Sequence, residues 1–225
     1  MSLPPTRWEL GGPANEGYGR KFGELVASGE DVDGEARLAD TLLPRRGRVL
    51  DVGSGMGRVA AALSARGHDV VAVEPDPVLA EQSRRTYPDL EVLPLDARTL
   101  AADALAHHGR PTSFDLAVLV GNVMVFLAER TEREVLRRVR DLLAPGGRVL
   151  VGFHLHGGPP TARRYPADEF VADVEASGLR VRLRAGSYEL HPPDDGYGVW
   201  VLSRDDAPHV STTVGHPNPI GTAEG

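Results

Sequence analysis

The chain has 225 residues, 41% of them hydrophobic and 25% charged, which are ordinary proportions for a globular protein. Its formal net charge of −7 provides no basic field for nucleic acid, and the absence of cysteine excludes disulfides, thiolate zinc sites and a cysteine nucleophile. No apolar run approaches the roughly 18 residues of a membrane span, and no signal-peptide pattern is present. We therefore expect a cytoplasmic protein with no membrane partner and no metal site.

The first 29 residues precede any predicted strand. Residues 3–19 are rich in Pro and Gly and predict irregular structure, whereas residues 21–28 predict a helix. Trp8, Tyr18 and Phe22 form a dense aromatic group in a chain that is only 5% aromatic. We expect residues 1–29 to contain a lid helix over a ligand, although the same rings could simply pack on the outside of a sheet.

From residue 30 to residue 205, apolar runs alternate with helical patterns. The predicted strands are 49–52, 69–74, 90–93, 114–120, 148–153, 179–185 and 198–202, and the predicted helices are 34–43, 59–63, 78–86, 123–127, 131–143 and 167–177. Repeated βα units predict an α/β fold: a three-layer, doubly wound, mostly parallel sheet. The last two strands alternate apolar and polar residues, which is typical of antiparallel edge strands. Residues 206–225 lack periodicity and predict a flexible tail.

A glycine-rich turn follows the first predicted strand. Its glycines are Gly53, Gly55 and Gly57, and Asp51 lies two residues before the first of them. A dinucleotide fingerprint would require a third glycine at position 58, which is Arg58. Glycine allows positive φ and a close approach of the backbone to a ligand. An acid beside such a turn suits a cationic ligand better than a pyrophosphate.

The second predicted strand ends in an acid, Glu74, which lies 21 residues after Gly53. A carboxylate at this position can accept hydrogen bonds from both hydroxyls of a ribose, although it could also be a solvated strand end. Asp76 followed by Pro77 is typical of a helix N-cap and first helical residue, so we interpret Asp76 as structural.

The segment from Asp51 to Gly57 resembles motif I of the class I S-adenosylmethionine (SAM)-dependent methyltransferases, acid-x-Gly-x-Gly-x-Gly. Residues 142–148 resemble the Leu-x-Pro-Gly-Gly turn before strand five of that family, where Pro145 would end the preceding helix. The resemblance covers about residues 30–205 and implies a seven-stranded sheet with an antiparallel final strand. It also implies SAM as cofactor. A catalytically silent SAM-binding protein and a nicotinamide-dependent oxidoreductase are the alternatives, and Arg58 disfavours the second.

The resemblance also implies which residues bind SAM. Glu74 would bind the ribose, Asp96 would accept from the adenine amino group, and the residues after the fourth strand would face the ligand. Asp96 could instead cap a helix starting near Arg98, and Asn122 could be only the N-cap of helix 123–127. The expected cofactor-binding residues are Asp51, Gly53, Ser54, Gly55, Gly57, Glu74, Pro75, Asp96, Ala97, Gly121, Asn122 and Val123.

Motifs that are missing restrict the acceptor. After the fourth strand, where enzymes that methylate base amines carry Asp/Asn-Pro-Pro-aromatic, this chain has residues 121–124, Gly-Asn-Val-Met. Pyrimidine C5 methylation needs a cysteine, and the paired-glutamate loop of protein arginine methyltransferases is not recognisable. We therefore expect transfer to O, N or C of a small molecule, with no nucleic-acid partner. A homodimer is compatible with this expectation.

His154 and His156, just after the fifth predicted strand, are the candidate catalytic residues. If the extended backbone continues, both side chains point to one face, and an imidazole titrates near neutral pH as a general base requires. His154 is favoured because the strand positions it better. Residues 157–160, Gly-Gly-Pro-Pro, suggest a mobile loop in which a histidine would be merely solvated.

Overall fold

The structure is a computed structural model that describes residues 3–205, with the backbone alone described at residues 16 and 18–22. The predicted tail over residues 206–225 therefore lies outside the described residues, as do the side chains of Tyr18 and Phe22. No helix in the described part of the chain is long and apolar enough to cross a membrane.

Seven strands and nine helices are found within residues 3–205. The strands are β1 (Arg48–Val52), β2 (Asp69–Val73), β3 (Val92–Leu93), β4 (Phe114–Leu119), β5 (Leu143–His154), β6 (Leu179–Ala185) and β7 (Tyr197–Arg204). The helices are α1 (Arg7–Gly11), α2 (Pro13–Ala27), α3 (Gly34–Leu42), α4 (Arg58–Ala65), α5 (Pro77–Thr86), α6 (Ala102–His107), α7 (Val123–Phe126), α8 (Glu132–Asp141) and α9 (Ala167–Ala176).

The strands form one sheet in the order β3-β2-β1-β4-β5-β7-β6, with β1 to β5 parallel and β7 antiparallel to both of its neighbours. The predicted seven-stranded, mostly parallel α/β fold is confirmed. The placement of β7 at an edge is wrong, because β7 lies between β5 and β6 and six of its eight residues are buried. Only β6, of these two strands, is an edge strand.

The sheet carries a hydrophobic core on each face. Along β1, Val49 belongs to one core cluster and Leu50 to the other, as the two-residue repeat of a strand requires. The strand order reverses between β1 and β4, and the chain leaves these two strands toward opposite sides of the sheet. In open α/β sheets such a reversal opens a crevice at the carboxyl ends of the strands.

Two helical regions differ from the sequence-based expectation. Residues 3–19 are largely helical rather than irregular: Thr6 and Glu9 form a reciprocal capping box that starts α1, and Pro13 occupies the first turn of α2. The helix expected near Arg98 begins only at Ala102, as α6.

The turn before β5 also differs. Helix α8 ends at Asp141, so Pro145 does not end it. Instead, β5 begins at Leu143, and the Pro-Gly-Gly segment falls at an irregularity in its pairing with β4, where Gly146 has a φ of 78°. The glycine thus accommodates a bulge within the strand.

Candidate functional site

A cavity of about 380 Å³ lies at the carboxyl ends of β1, β2 and β4. Ten of the twelve residues expected to bind the cofactor line it: Asp51, Gly53, Ser54, Gly55, Glu74, Pro75, Asp96, Ala97, Gly121 and Val123. Gly57 and Asn122 are not among its lining residues. The sequence pattern thus identifies residues that follow four strands, β1, β2, β3 and β4, and that the fold brings to one cavity.

The glycines of the turn have different structural roles. A Cβ on Gly53 would lie 2.9 Å from a Cγ of Val123, so only glycine fits there. Gly55 has a φ of +58°, and within the described residues no atom lies within 4 Å of where its Cβ would be, so that Cβ would project into open space at the cavity. A Cβ on Gly57 would lie 2.5 Å from Oγ of Ser83, so Gly57 serves the packing of α4 against α5.

Glu74 connects the end of β2 to the glycine turn. Its carboxylate accepts hydrogen bonds from the backbone N–H of Gly55 (Oε2, 2.9 Å) and of Asp76 (Oε1, 2.9 Å). The side chain is buried, so it is not a solvated strand end. Burial raises the pKa of Glu74 to about 7, against the opposing effect of the two N–H donors. Each oxygen retains a lone pair that can accept from a ligand hydroxyl.

Asp51 is the most deeply buried acid of the cavity, at 2% exposure. Its Oδ2 has no hydrogen-bond partner among the described residues. Burial raises its pKa to about 7, although the nearby Arg58 opposes the shift. That guanidinium is itself held by both carboxylate oxygens of Glu35, at 2.6 and 2.8 Å. Asp51 therefore has an unused acceptor facing a site where a cationic ligand would stabilise its charge, and the buried Oγ of Ser54 likewise lacks a partner within residues 3–205.

Asp96, expected to contact adenine, lies at the cavity wall and is held by Arg98. It accepts from the backbone N–H (2.7 Å) and Nε (2.8 Å) of Arg98. Burial opposes its ionisation, but the hydrogen bonds from Arg98 outweigh that effect and lower its pKa. Asp96 does not cap a helix, because α6 begins six residues later.

Helix α1 forms part of the wall of the cavity, which its residues Trp8 and Glu9 line. Trp8 donates from Nε1 to Oδ2 of Asp76 at 2.6 Å, and its ring meets the Phe126 ring edge-on at 5.2 Å between centroids. Arg7 anchors the same helix by donating to the carbonyl oxygen of Leu127 at 2.7 Å. Asp76 also caps α5, as predicted, by accepting from Val78 N–H. Sequence reasoning identified Trp8 but missed Arg7 and Phe126, whose partners lie far away in the chain.

The two histidines are in different environments. Strand β5 ends at His154, so the extended continuation expected to align both imidazoles is wrong; the N–H groups of Leu155 and His156 both point to the carbonyl of Gly196 (3.0 and 3.4 Å). His154 is half-buried, which lowers its pKa, and it contacts Asn122. His156 is exposed, and its Nδ1 lies 2.8 Å from the carbonyl oxygen of Asp195. Neither histidine is among the residues that line the cavity.

Comparisons with known proteins agree with this geometry. Residues 49–147 match the model of a methyltransferase domain family. A TehB-like SAM-dependent methyltransferase from Corynebacterium glutamicum is 31% identical, with a TM-score of 0.72 over 84% of this chain and 97% of that one. A 1,6-didemethyltoxoflavin-N1-methyltransferase from Burkholderia thailandensis, solved with 1,6-didemethyltoxoflavin and S-adenosylhomocysteine (SAH), shares the fold at 22% identity and a TM-score of 0.57, over 84% of this chain and 88% of that one.

A ribosomal RNA small subunit methyltransferase A from Mycobacterium avium is 42% identical over 89 residues. That match covers 36% of this chain and 27% of the relative, so the chain spans about a quarter of the length of that curated protein. All three relatives are methyltransferases, and two of them differ in their acceptor, which is 1,6-didemethyltoxoflavin for one and ribosomal RNA for the other.

The similarity to the enzyme from Corynebacterium glutamicum extends over nearly the whole of that chain, and it agrees with the seven-stranded sheet and the glycine turn described above. The chain belongs to the class I SAM-dependent methyltransferases, with SAM as its methyl donor.

Proposed function

We propose that this methyltransferase acts on O, N or C of a small molecule. The observation that carries the proposal is the charge of the cavity: among the residues that the structure describes, five carboxyl groups line it (Glu9, Asp51, Glu74, Asp76 and Asp96) and one guanidinium does, that of Arg58. Proteins that bind nucleic acid neutralise its phosphates with several Lys or Arg side chains. An acidic cavity with α1 in its wall favours a compact acceptor that carries no phosphate chain.

The relatives support this acceptor class unequally. The match to the ribosomal RNA enzyme is confined to 89 residues, whereas the structural neighbour that carries 1,6-didemethyltoxoflavin, a small heterocycle, aligns over 84% of this chain. Similarity that extends beyond the SAM-binding half thus favours the small-molecule class. Membership of the methyltransferase family also argues against the alternative that the chain is a nicotinamide-dependent oxidoreductase.

Different lining residues would bind different parts of SAM. We assign Asp51 to its cationic amino acid end, Glu74 to the ribose hydroxyls and Asp96 to the adenine amino group, with the backbone at Gly53 and Gly55 in close approach. SAM supplies an activated methyl group with a thioether leaving group. The main task of the protein is then alignment and exclusion of water, and positioning of this kind can contribute roughly 7–11 kcal/mol.

His154 is our candidate for the general base when the acceptor arrives protonated. It contacts Asn122, whose chain neighbours Gly121 and Val123 both line the cavity. Partial burial lowers its pKa and keeps the imidazole neutral near pH 7, so that it can remove a proton from a hydroxyl or an ammonium group. His156, exposed in the loop beyond, is the weaker candidate.

The test is release of SAH from a panel of small alcohols, phenols and amines, with ribosomal RNA and duplex DNA as parallel substrates. We expect turnover with members of the small-molecule panel only. With the acceptor known, His154→Gln should lower kcat by about 10²–10⁴-fold and leave SAM affinity unchanged, as for loss of a general base. His107→Gln, at an exposed site on α6, is the matched control.

Turnover of RNA, or tight binding of RNA near physiological salt, would contradict the small-molecule proposal. SAM binding without SAH release from any acceptor would favour the catalytically silent alternative. An unchanged kcat in His154→Gln would show that His154 is not the general base, and the positioning of the substrates alone would then account for the rate.

A further inference from the structure

The most unusual polar contact beside the cavity is made by Asn122. This residue follows β4, is 1% exposed and has a φ of 80°, in the left-handed region. It stands at the N-cap of α7, but its side chain makes no capping hydrogen bond to that helix. Its backbone N–H donates to the carbonyl of Gly152 on β5 at 3.2 Å. The side chain of Asn122 therefore makes its hydrogen bonds to groups outside the helix that it precedes.

The Asn122 side chain extends the pairing of β4 with β5 by one step. Its Oδ1 accepts from the backbone N–H of His154 at 2.9 Å. Because a backbone N–H can only donate, the atom that faces it must be the carboxamide oxygen and not the NH₂ group. This contact fixes the orientation of the amide independently of the imidazole.

The same Oδ1 lies 3.0 Å from Nδ1 of His154. Two acceptors do not form a hydrogen bond, so Nδ1 must carry the hydrogen in the neutral ring. Nε2 is then the nitrogen with the free lone pair. Within residues 3–205, Nε2 makes no hydrogen bond, and the Tyr197 ring packs at right angles to the imidazole, 4.8 Å away between centroids.

We propose that Asn122 is a positioning residue that fixes the Nδ1–H tautomer of His154 and so presents Nε2 as the proton acceptor. The inference rests on the proposed function, since a tautomer matters for catalysis only if His154 is the base. The carboxamide oxygen of Asn122 faces His154, and Asn122 is not among the residues that line the cavity. A positioning role for Asn122 explains why the two residues, 32 positions apart, contact each other through one oxygen atom.

The choice of test variants follows from the left-handed backbone conformation of Asn122. Asn122→Gly removes the carboxamide and keeps the left-handed conformation without strain. Asn122→Asp keeps an acceptor at the same place and also tolerates positive φ. Arg130→Gly is the matched control, because it makes the same backbone change (φ 64°) at a side chain that is 90% exposed.

The primary readout is the imidazole tautomer, measured by long-range ¹H–¹⁵N spectra of protein labelled in its histidines, with His154→Gln identifying the signal. We expect Nδ1–H in the unmodified protein and in Asn122→Asp, and a gain of the Nε2–H form in Asn122→Gly. An Nε2–H form in the unmodified protein, or an unaltered tautomer in Asn122→Gly, would overturn the proposal without any acceptor being known.

The second readout is kinetic. Asn122→Gly should lower kcat by about 10–100-fold, the loss typical of removing hydrogen-bond partners that orient metal-bound imidazoles, with SAM affinity retained. Asn122→Asp should recover part of that loss, and Arg130→Gly should show none. Full turnover in His154→Gln alongside an Nδ1–H spectrum would instead refute the base itself, which separates the failure of the proposed function from the failure of this inference.

Discussion

Two buried carboxyl groups, those of Asp51 and Glu74, set the electrostatics of the cavity. Burial raises the pKa of both to about 7, and a cation beside either carboxyl group would favour its ionised form. Burial disfavours the charged form of each carboxyl group, and a positively charged ligand beside it would offset this cost. We therefore expect SAM, a cation, to bind more tightly than the neutral SAH.

The pH dependence of stability tests the state of Asp51. Its folded pKa of about 7 exceeds the roughly 3.9 of an unfolded Asp, so the folded state binds more protons between these values. The free energy of unfolding should therefore fall as pH rises toward 7, and then level off. In Asp51→Asn the fall between about pH 5 and pH 8 should be smaller in urea titrations. An equal fall in both proteins would contradict the assignment.

The same substitution, Asp51→Asn, should weaken the binding of SAM. A hydrogen bond to a charged group contributes about 1.5–3 kcal/mol, so Asp51→Asn should raise the Kd of SAM by about 10–100-fold in calorimetry. The variant would thus be less sensitive to pH in its stability and poorer in binding.

Gly55 tests where the ligand lies. Gly55→Val would place a branched side chain in the cavity and should abolish measurable SAM binding. Gly109→Val is the matched control: Gly109 also has a positive φ (66°), and open space lies around its Cβ, but it does not line the cavity. Both variants incur the strain of a β-branched residue at positive φ, and only the first should lose SAM. Equal SAM affinity in the two variants would place the ligand elsewhere.

At the scale of elements, the N-terminal helices are where the sequence reading fell short. The abundance of Pro and Gly suggested irregular structure, but Thr6 and Glu9 form a capping-box pattern that marks a helix start. The start of helix α6 was expected near Arg98 and lies at Ala102, because a helix of six residues shows too little periodicity to define its first residue. The strands were found more reliably, since long apolar runs between turn residues leave few alternatives. The interior position of β7 depends on which strands pair, and a local pattern does not contain that information.

We propose that α1 acts as a lid, held by Trp8 on Asp76 and Phe126. Trp8→Ala should weaken SAM binding by about 5–30-fold, because it removes a hydrogen bond and an aromatic contact that together contribute about 1–2 kcal/mol. Leu10→Ala on the same helix is the control, since Leu10 is 71% exposed. Calorimetric titration with SAM measures the affinity of both variants, and we expect a loss in Trp8→Ala only. Full affinity in Trp8→Ala would show that the ring only packs on the surface.

For the whole molecule, the sequence predicted most of the residues that gather at the cavity, but not the contacts between distant segments beside it. The glycine turn and strand-end acids are local patterns, and the parallel sheet brings them to one edge. The contact between Asn122 and His154 joins residues that are 32 positions apart. The ion pair of Arg58 with Glu35 joins residues that are 23 positions apart. Such contacts depend on packing, which a single sequence does not show.

The central claim is that the cavity at the reversal of strand order binds the methyl donor. Calorimetric titration of the unmodified protein with SAM, and in parallel with NAD, tests this claim most directly. We expect saturable binding of one SAM per chain and no measurable heat from NAD, because the glycine turn presents an acid instead of a pyrophosphate site. Binding of NAD with comparable affinity, or absence of SAM binding, would contradict it.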